Sequence, residues 1–218
     1  CDVPVSDWRE HGMECKVGDG ARRRNPKTLI DLFVLHWTGG EGDAKACFDV
    51  LDTRELGVEF CIDREGDIFQ FADPVFVDTF DAGSVNPRSI GVEITNYGFR
   101  DIASQIPKYG RDREIYDAIM RGKLRKFARF YPEQIKSAIA LVDAVTAALP
   151  SIPRCLAGKN AKLFTGTMTR SQLAAYTGVI GHFQLSDNKS DPGTDLLDAF
   201  AATGRYPLSY IDKPTDRV

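Results

Sequence analysis

Two of the chain's three histidines, His36 and His182, each close a short apolar run, at residues 29–35 and 179–181. The loop edge of a sheet is where α/β proteins place ligands, so two imidazoles in equivalent strand-end settings read as candidate metal ligands. Two histidines and one carboxylate make a three-ligand zinc site whose fourth position stays open for a water. The carboxylate candidates near His182 are Asp187, Asp191 and Asp195, and spacing alone leaves all three open. Asp191 lies in Lys189-Ser190-Asp191-Pro192-Gly193, where Pro and Gly predict a rigid turn able to hold a ligand. The chemistry of such a site is hydrolysis by a metal-activated water. His11, in a polar N-terminal stretch, is given no role.

These side chains need a sheet to hold them. Residues 29–35 read as a buried strand ended by His36-Trp37-Thr38-Gly39-Gly40. A helix follows over about 43–54, with Asp43 as N-cap and Ala44, Cys47, Phe48 and Leu51 as its apolar stripe. Residues 58–63 and 68–71 predict two strands joined by the turn Arg64-Glu65-Gly66-Asp67. Another strand is expected at 89–94, and a short one at 179–182. Pro132 opens a helix to about residue 149, with Ile135, Ile139, Val142, Val145 and Leu149 in helical register. A last helix is expected over 194–202. Strands and helices alternate around one sheet, which is an α/β pattern. The division is an irregular segment 1–28, a domain 29–205 and a tail 206–218. Residues 97–130, polar and rich in Arg and Tyr, read as an excursion from the core.

Composition narrows the partners. The 218 residues carry 28 basic and 31 acidic side chains, a net charge of -3, with no basic excess to draw nucleic acid. Arg22-Arg23-Arg24 and the arginines of 121–129 read as solvated faces. Hydrophobic residues at 43% and charged residues at 27% exclude wholesale disorder. No run reaches the ~18 apolar residues of a membrane span. Five cysteines at irregular spacing are not a disulfide framework, and Cys47 and Cys61 read as small buried hydrophobes. A start at Cys1 without an initiator Met fits a trimmed chain, an excised domain or a processed mature form.

Four segments in order carry a more specific signal. They are Phe33-Val34-Leu35-His36-Trp37-Thr38, Glu59-Phe60-Cys61-Ile62-Asp63-Arg64-Glu65-Gly66, Arg88-Ser89-Ile90-Gly91-Val92-Glu93, and Gly181-His182 followed by Lys189-Ser190-Asp191-Pro192-Gly193. This set resembles the type 2 zinc-dependent N-acetylmuramoyl-L-alanine amidases, a family that also contains the peptidoglycan recognition proteins and a phage lysozyme. The likeness implies a single mixed central sheet flanked by helices. It also implies one Zn2+ held by His36, His182 and Asp191. The family's catalytic glutamate falls on Glu93, and its lysine, two residues before the third ligand, on Lys189.

The departures are informative. Where many members have Tyr-His, this chain has Val58-Glu59, so the tyrosine some members use near the metal is absent and Glu93 is the better base. Glu59 is a second-choice acid/base, expected to point away from the zinc if Val58 takes the tyrosine position. Where members often carry Trp-His-Ala-Gly, this chain has Phe80-Asp81-Ala82-Gly83, so Asp81 stands at the family histidine. That change bears on substrate binding and leaves the metal set intact.

The implied reaction cleaves the amide between N-acetylmuramic acid and L-alanine. Glu93 takes the water's proton and returns it to the leaving amine. Lys189 and the metal steady the oxyanion. The implied partner is peptidoglycan or a muropeptide, met as a monomer in the periplasm or outside the cell, as for a lysin or a wall-remodelling enzyme. The rivals are a non-catalytic peptidoglycan-binding module and an amidase of the same fold acting on soluble muropeptides. Residues 97–130 are expected to shape the groove, with Tyr97, Tyr109, Tyr116 and nearby arginines touching sugar or peptide.

Overall fold

The apolar run ahead of His36 becomes the middle of a nine-stranded mixed sheet in the computed structural model, which describes residues 3–98 and 113–212. In chain order the strands are β1 (Val5–Ser6), β2 (Ala21–Arg23), β3 (Leu32–Gly39), β4 (Phe60–Ile62), β5 (Ile68–Gln70), β6 (Val77–Thr79), β7 (Ser89–Tyr97), β8 (Ile115–Met120), β9 (Lys123–Ala128), β10 (Leu156–Lys159), β11 (Lys162–Leu163), β12 (Gly178–Gly181) and β13 (Leu208–Tyr210). The helices are α1 (Trp8–His11), α2 (Ala44–Thr53), α3 (Pro132–Ala148), α4 (Arg170–Ala175) and α5 (Asp195–Ala202). The main sheet runs β1-β5-β4-β7-β3-β12-β10-β11, and β13 also pairs with β10. Its centre, β4-β7-β3-β12-β10, is parallel throughout. β2 and β6 form a separate antiparallel pair, as do β8 and β9.

Strand alternation divides the side chains between two faces. Phe33, Leu35 and Trp37 of β3 join Ile90, Val92 and Ile94 of β7 in the larger core, under Leu141 and Val142 of α3 and Leu196, Leu197 and Phe200 of α5. Full burial of side chains this size stabilises by roughly 1.5–3 kcal/mol each. On the other face Cys61 of β4 packs with Ala44 and Cys47 of α2. His36 and Glu93 alternate onto this second face.

The helix starts follow their local chemistry. Asp43 accepts the Ala46 N–H at 2.8 Å and caps α2. Pro132 occupies the first turn of α3, and the Gln134 side chain reaches back to the Tyr131 N–H at 3.1 Å. Both helices lie where their periodicity put them, and β4–β5 is the expected hairpin.

The edges differ. His36 does not end its strand: pairing with β7 continues through Trp37 opposite Ile94, and the register shifts only before Gly39. At the other end, residues 29–31 stay out of the ladder, with Leu29 exposed and Asp31 held by Arg88 at 2.6 Å. The N-terminal segment is not wholly irregular, since β1 extends the sheet edge and β2 pairs with β6. The tail contributes β13. Within 97–130, residues 115–128 form a hairpin that packs onto the core through Tyr116, Ala118, Met120 and Phe127. Tyr109 and Cys1 lie outside the described residues. Cys15, Cys47, Cys61 and Cys155 are free thiols. Among the described residues no helix is long and apolar enough to cross a membrane.

Candidate metal centre

Parallel register sets the first two positions. His36 of β3 stands opposite Glu93 of β7, and Cys61 of β4 stands on Glu93's other side. Gly181 of β12 pairs with Leu35, so His182, the next residue, emerges beside His36. His182 opens a short 3₁₀ turn ending at Gln184, where the chain leaves the sheet. The Phe183 N–H then donates to the Asp191 carbonyl at 2.9 Å, which folds the Asp191 turn back onto His182.

Three ligand atoms converge as a result. His36 Nδ1 and His182 Nδ1 are 2.8 Å apart, and Asp191 Oδ2 lies 2.8 Å from His182 Nδ1 and 3.3 Å from His36 Nδ1. All three residues are buried, and among the described residues they are the one cluster of three or more such groups able to hold a metal ion. Bond lengths near 2.0–2.2 Å around a tetrahedral zinc place neighbouring ligand atoms roughly 3.3 Å apart, so the set fits after opening by a few tenths of an ångström. Of the carboxylates left open by spacing, Asp187 instead faces Arg121, and Asp195 is bonded to Arg129 and the Phe130 N–H.

The electrostatics follow from burial and crowding. Burial raises Glu93, and Asp191 and Asp81 add to it against His36 and Lys189, so its carboxyl is pushed up to about 8. Burial alone would lower His36, but Asp191 and Asp81 outweigh it and carry it to about 10. Asp191 is held well below the usual carboxylate range: the two histidines overcome its burial. His182 is lowered, by burial and then by His36.

These shifts predict a sign for the metal-free protein. Glu93, and Glu59 with it, reach about 8 from an ordinary 4.5, so the folded state keeps protons that the unfolded chain has released. Stability then falls as pH rises from 4.5 to 8. The His36 contribution is complete below 6.5 and is lost as pH climbs toward 10. Asp191 and His182 act oppositely, but their windows lie below 3.8 and 6.5. The Tm of chelator-treated protein is expected to fall steadily from pH 6.5 to 9, and less steeply in Glu93→Gln. A flat or rising Tm over that range would contradict the assignment.

The β8–β9 hairpin braces the loop that carries Lys189 and Asp191. At its tip Arg121 Nη2 donates toward the carbonyls of Phe183 at 3.1 Å, Ser186 at 2.9 Å, and Lys189. At its base the Tyr116 hydroxyl accepts the N–H groups of Thr194 at 3.2 Å and Asp195 at 2.9 Å. Gly193 immediately precedes them at φ +81°, and a Cβ there would stand 3.0 Å from the Tyr116 hydroxyl. Arg121→Ala should loosen the loop and lower kcat by up to about 10²-fold, because small misplacements of reacting groups carry that cost. Faster amide exchange across 183–191 would accompany it, and unchanged exchange would contradict the brace.

The cluster opens into a cavity of about 320 Å³ floored by His36, Glu93 and Asp191. It passes Lys189 and runs along α2 past Ala46, Val50 and Arg54. Lys189 is exposed on its rim. Glu59 is not on this surface: it is buried against Arg24 at 3.1 Å and accepts the Gly91 N–H at 2.7 Å. Tyr97 is fully buried, which removes it from the groove, and Tyr116 serves the brace. Sequence reasoning missed the roles of Arg121, Tyr116 and the α2 wall, none of which a local pattern marks. Asp81 had a signal, its substitution for the family histidine, and it lines the cavity beside His36.

Comparison with known proteins gives the following. A family model described as N-acetylmuramoyl-L-alanine amidase matches residues 24–194. No curated protein matches the chain. Among solved structures, N-acetylmuramoyl-L-alanine amidase LysC from Clostridium intestinale URNW aligns with a TM-score of 0.54 at 13% identity, over 93% of this chain and 99% of that one. Drosophila peptidoglycan recognition protein SD aligns at 0.55 and 15% identity, over 95% and 98%. AmiD from E. coli, in complex with anhydro-N-acetylmuramic acid-L-Ala-D-gamma-Glu-L-Lys, aligns at 0.53 and 19% identity, over 84% of this chain and 61% of that one. At these identities the likeness to solved structures is one of fold.

Proposed function

Because this chain belongs to the N-acetylmuramoyl-L-alanine amidase family, we propose that it hydrolyses the amide bond between N-acetylmuramic acid and L-alanine in a zinc-dependent reaction. Its substrate is peptidoglycan or a muropeptide fragment, met in the periplasm or outside the cell. The observation that carries this reading is the convergence of His36 Nδ1, His182 Nδ1 and Asp191 Oδ2 beside Glu93 on the floor of a groove.

His36, His182 and Asp191 would hold the ion. When bound, zinc supplies a Lewis acid that makes water a nucleophile near pH 7 and polarises the scissile carbonyl. Glu93 accepts the proton of the attacking water and returns it to the departing L-alanine amine. Its Oε2 has no hydrogen-bond partner among the described residues, so it is free to take that proton. Burial makes Glu93 a strong base that holds its proton up to about 8 in the metal-free protein, and the charge of a bound dication, added to that of Lys189, would favour the ionised form that takes the proton. Lys189, on the rim, faces the tetrahedral oxyanion. The apolar wall of α2 receives the rest of the substrate and keeps water from one side of the cleft.

Lys189→Ala is expected to lower kcat more than it raises KM. A change confined to KM would make Lys189 a substrate binder. The reading as a whole is tested by elemental analysis beside turnover of purified peptidoglycan and of a soluble muropeptide, with and without chelator. About one zinc per chain and chelator-sensitive release of peptide from muramic acid would support it. Protein never exposed to chelator that carries no zinc and takes none up would overturn it.

A further inference from the structure

His36 has two ring nitrogens, and the metal reading uses one of them. For Nδ1 to offer a lone pair to an ion, the ring proton must sit on Nε2. That nitrogen is buried, and a buried N–H with no acceptor is costly. One candidate acceptor lies in reach: Asp81 Oδ2, 3.2 Å away. The two side chains are 2% and 4% exposed, so water does not substitute for either. Neither atom meets hydrogen-bond geometry with any partner among the described residues, so two buried polar atoms stand 3.2 Å apart, each with no other group to satisfy it.

The surrounding structure is arranged to deliver that carboxylate. Asp81 is clamped by its neighbours: the Phe80 N–H donates to the Gly20 carbonyl at 2.9 Å, and the Ala82 N–H to Asn86 Oδ1 at 2.7 Å. The side chain then crosses β7 at Gly91. A Cβ at Gly91 would stand 1.9 Å from Asp81 Oδ2, so only glycine leaves the path open. Glu59, the other carboxylate packed at Gly91, is committed elsewhere: it is paired with Arg24 at 3.1 Å and accepts the Gly91 N–H at 2.7 Å. Asp81 and Gly91, on separate segments, thus converge on the far side of one candidate ligand.

We propose that Asp81 is a positioning residue of the metal centre: it accepts the His36 Nε2–H, fixes the tautomer and ring orientation, and presents Nδ1 to the ion. Gly91 is its steric licence. The proposal rests on the metal reading of His36 given above. It assigns a metal-supporting role to the position where the family often carries histidine. A carboxylate behind a ligand histidine raises the ligand's basicity, and its loss typically weakens metal binding about 10–100-fold.

The test measures zinc affinity by competition with a chromophoric chelator, in the full chain and in Asp81→Asn and Gly91→Ala. Asp81→Asn keeps the volume and removes the charge. Gly91→Ala keeps the charge and blocks its path. Both are expected to weaken zinc binding by about 10–100-fold while circular dichroism shows the parent fold. Parent-like affinity in both variants would overturn the proposal. A second readout needs no variant. In zinc-loaded parent protein labelled with 15N-histidine, the His36 Nε2–H should appear as a slowly exchanging, hydrogen-bonded proton. Absence of that proton would overturn the proposal even if the variants failed to fold. A parent chain that takes up no zinc would instead sink the metal reading itself.

Discussion

Replacing Glu93 with Gln is expected to cut turnover by about 10²–10⁴-fold and to leave the zinc content unchanged. The size follows from removing a group that both accepts and returns a proton. Retention of metal follows from geometry: Glu93 stands opposite His36 in the β3–β7 register but contributes none of the three converging atoms. Gln is close in shape and cannot be the base. The amide also removes a carboxyl that burial keeps protonated up to about 8, so the metal-free variant should be no less stable than its parent at pH 8. Metal content and single-turnover rates check the prediction together. Loss of zinc in Glu93→Gln would move the residue from chemistry to structure, and a near-parent rate would remove it from both.

Removal of a ligand should have a larger and different effect. His182→Ala leaves His36 and Asp191 facing each other across 3.3 Å with one side of the cluster empty. Zinc affinity should fall well beyond the ~10–100-fold expected for losing a partner behind a ligand, and turnover should reach background. Asp191 would also lose the first of the groups that hold its carboxyl low. Its contribution to stability, present above 3.8 and lost as pH falls, would shrink, and the metal-free variant should melt at a lower temperature at pH 7. Metal titration and thermal melts separate these effects. Parent-like zinc binding in His182→Ala would break the ligand assignment.

Much of this centre was legible because its residues sit on elements with clear periodicity. The strand alternation of Ile90-Gly91-Val92-Glu93 correctly sends Val92 to the core and Glu93 to the opposite face. The helices α2 and α3 announce themselves by an N-cap Asp and an N1 Pro. The position of His36 inside its strand was not legible. Thr38, Gly39 and Gly40 look like a stop, and only the neighbour strand β7 keeps the ladder running past Trp37.

The β8–β9 hairpin was hidden for another reason. Its outward positions Ile115, Ile119 and Leu124 are apolar and exposed, while Tyr116, Met120 and Phe127 face inward. Both faces carry apolar residues, so the alternation that reveals a half-buried strand is blurred. β1 and β11, at two residues each, are too short to display an alternation. Arg121 and Asp81 reach their targets 62 and 45 positions away in the chain, a relation that no local pattern encodes.

The two halves of the cluster are attached to the molecule in different ways, and this bears on how an ion comes and goes. His36 is bonded into the middle of a parallel sheet, and neighbouring strands keep a spacing of about 4.8 Å that is costly to alter. Asp191 hangs on a loop held by the Phe183 N–H at its carbonyl and by Arg121 and Tyr116 of the hairpin. If His36, His182 and Asp191 hold an ion, its exchange is expected to proceed by release of the loop, with the sheet as the fixed jaw. Loosening Arg121 should accelerate the stripping of zinc by a chelator more than it changes the affinity at equilibrium. The hairpin would then act as a clasp that sets the residence time of the metal.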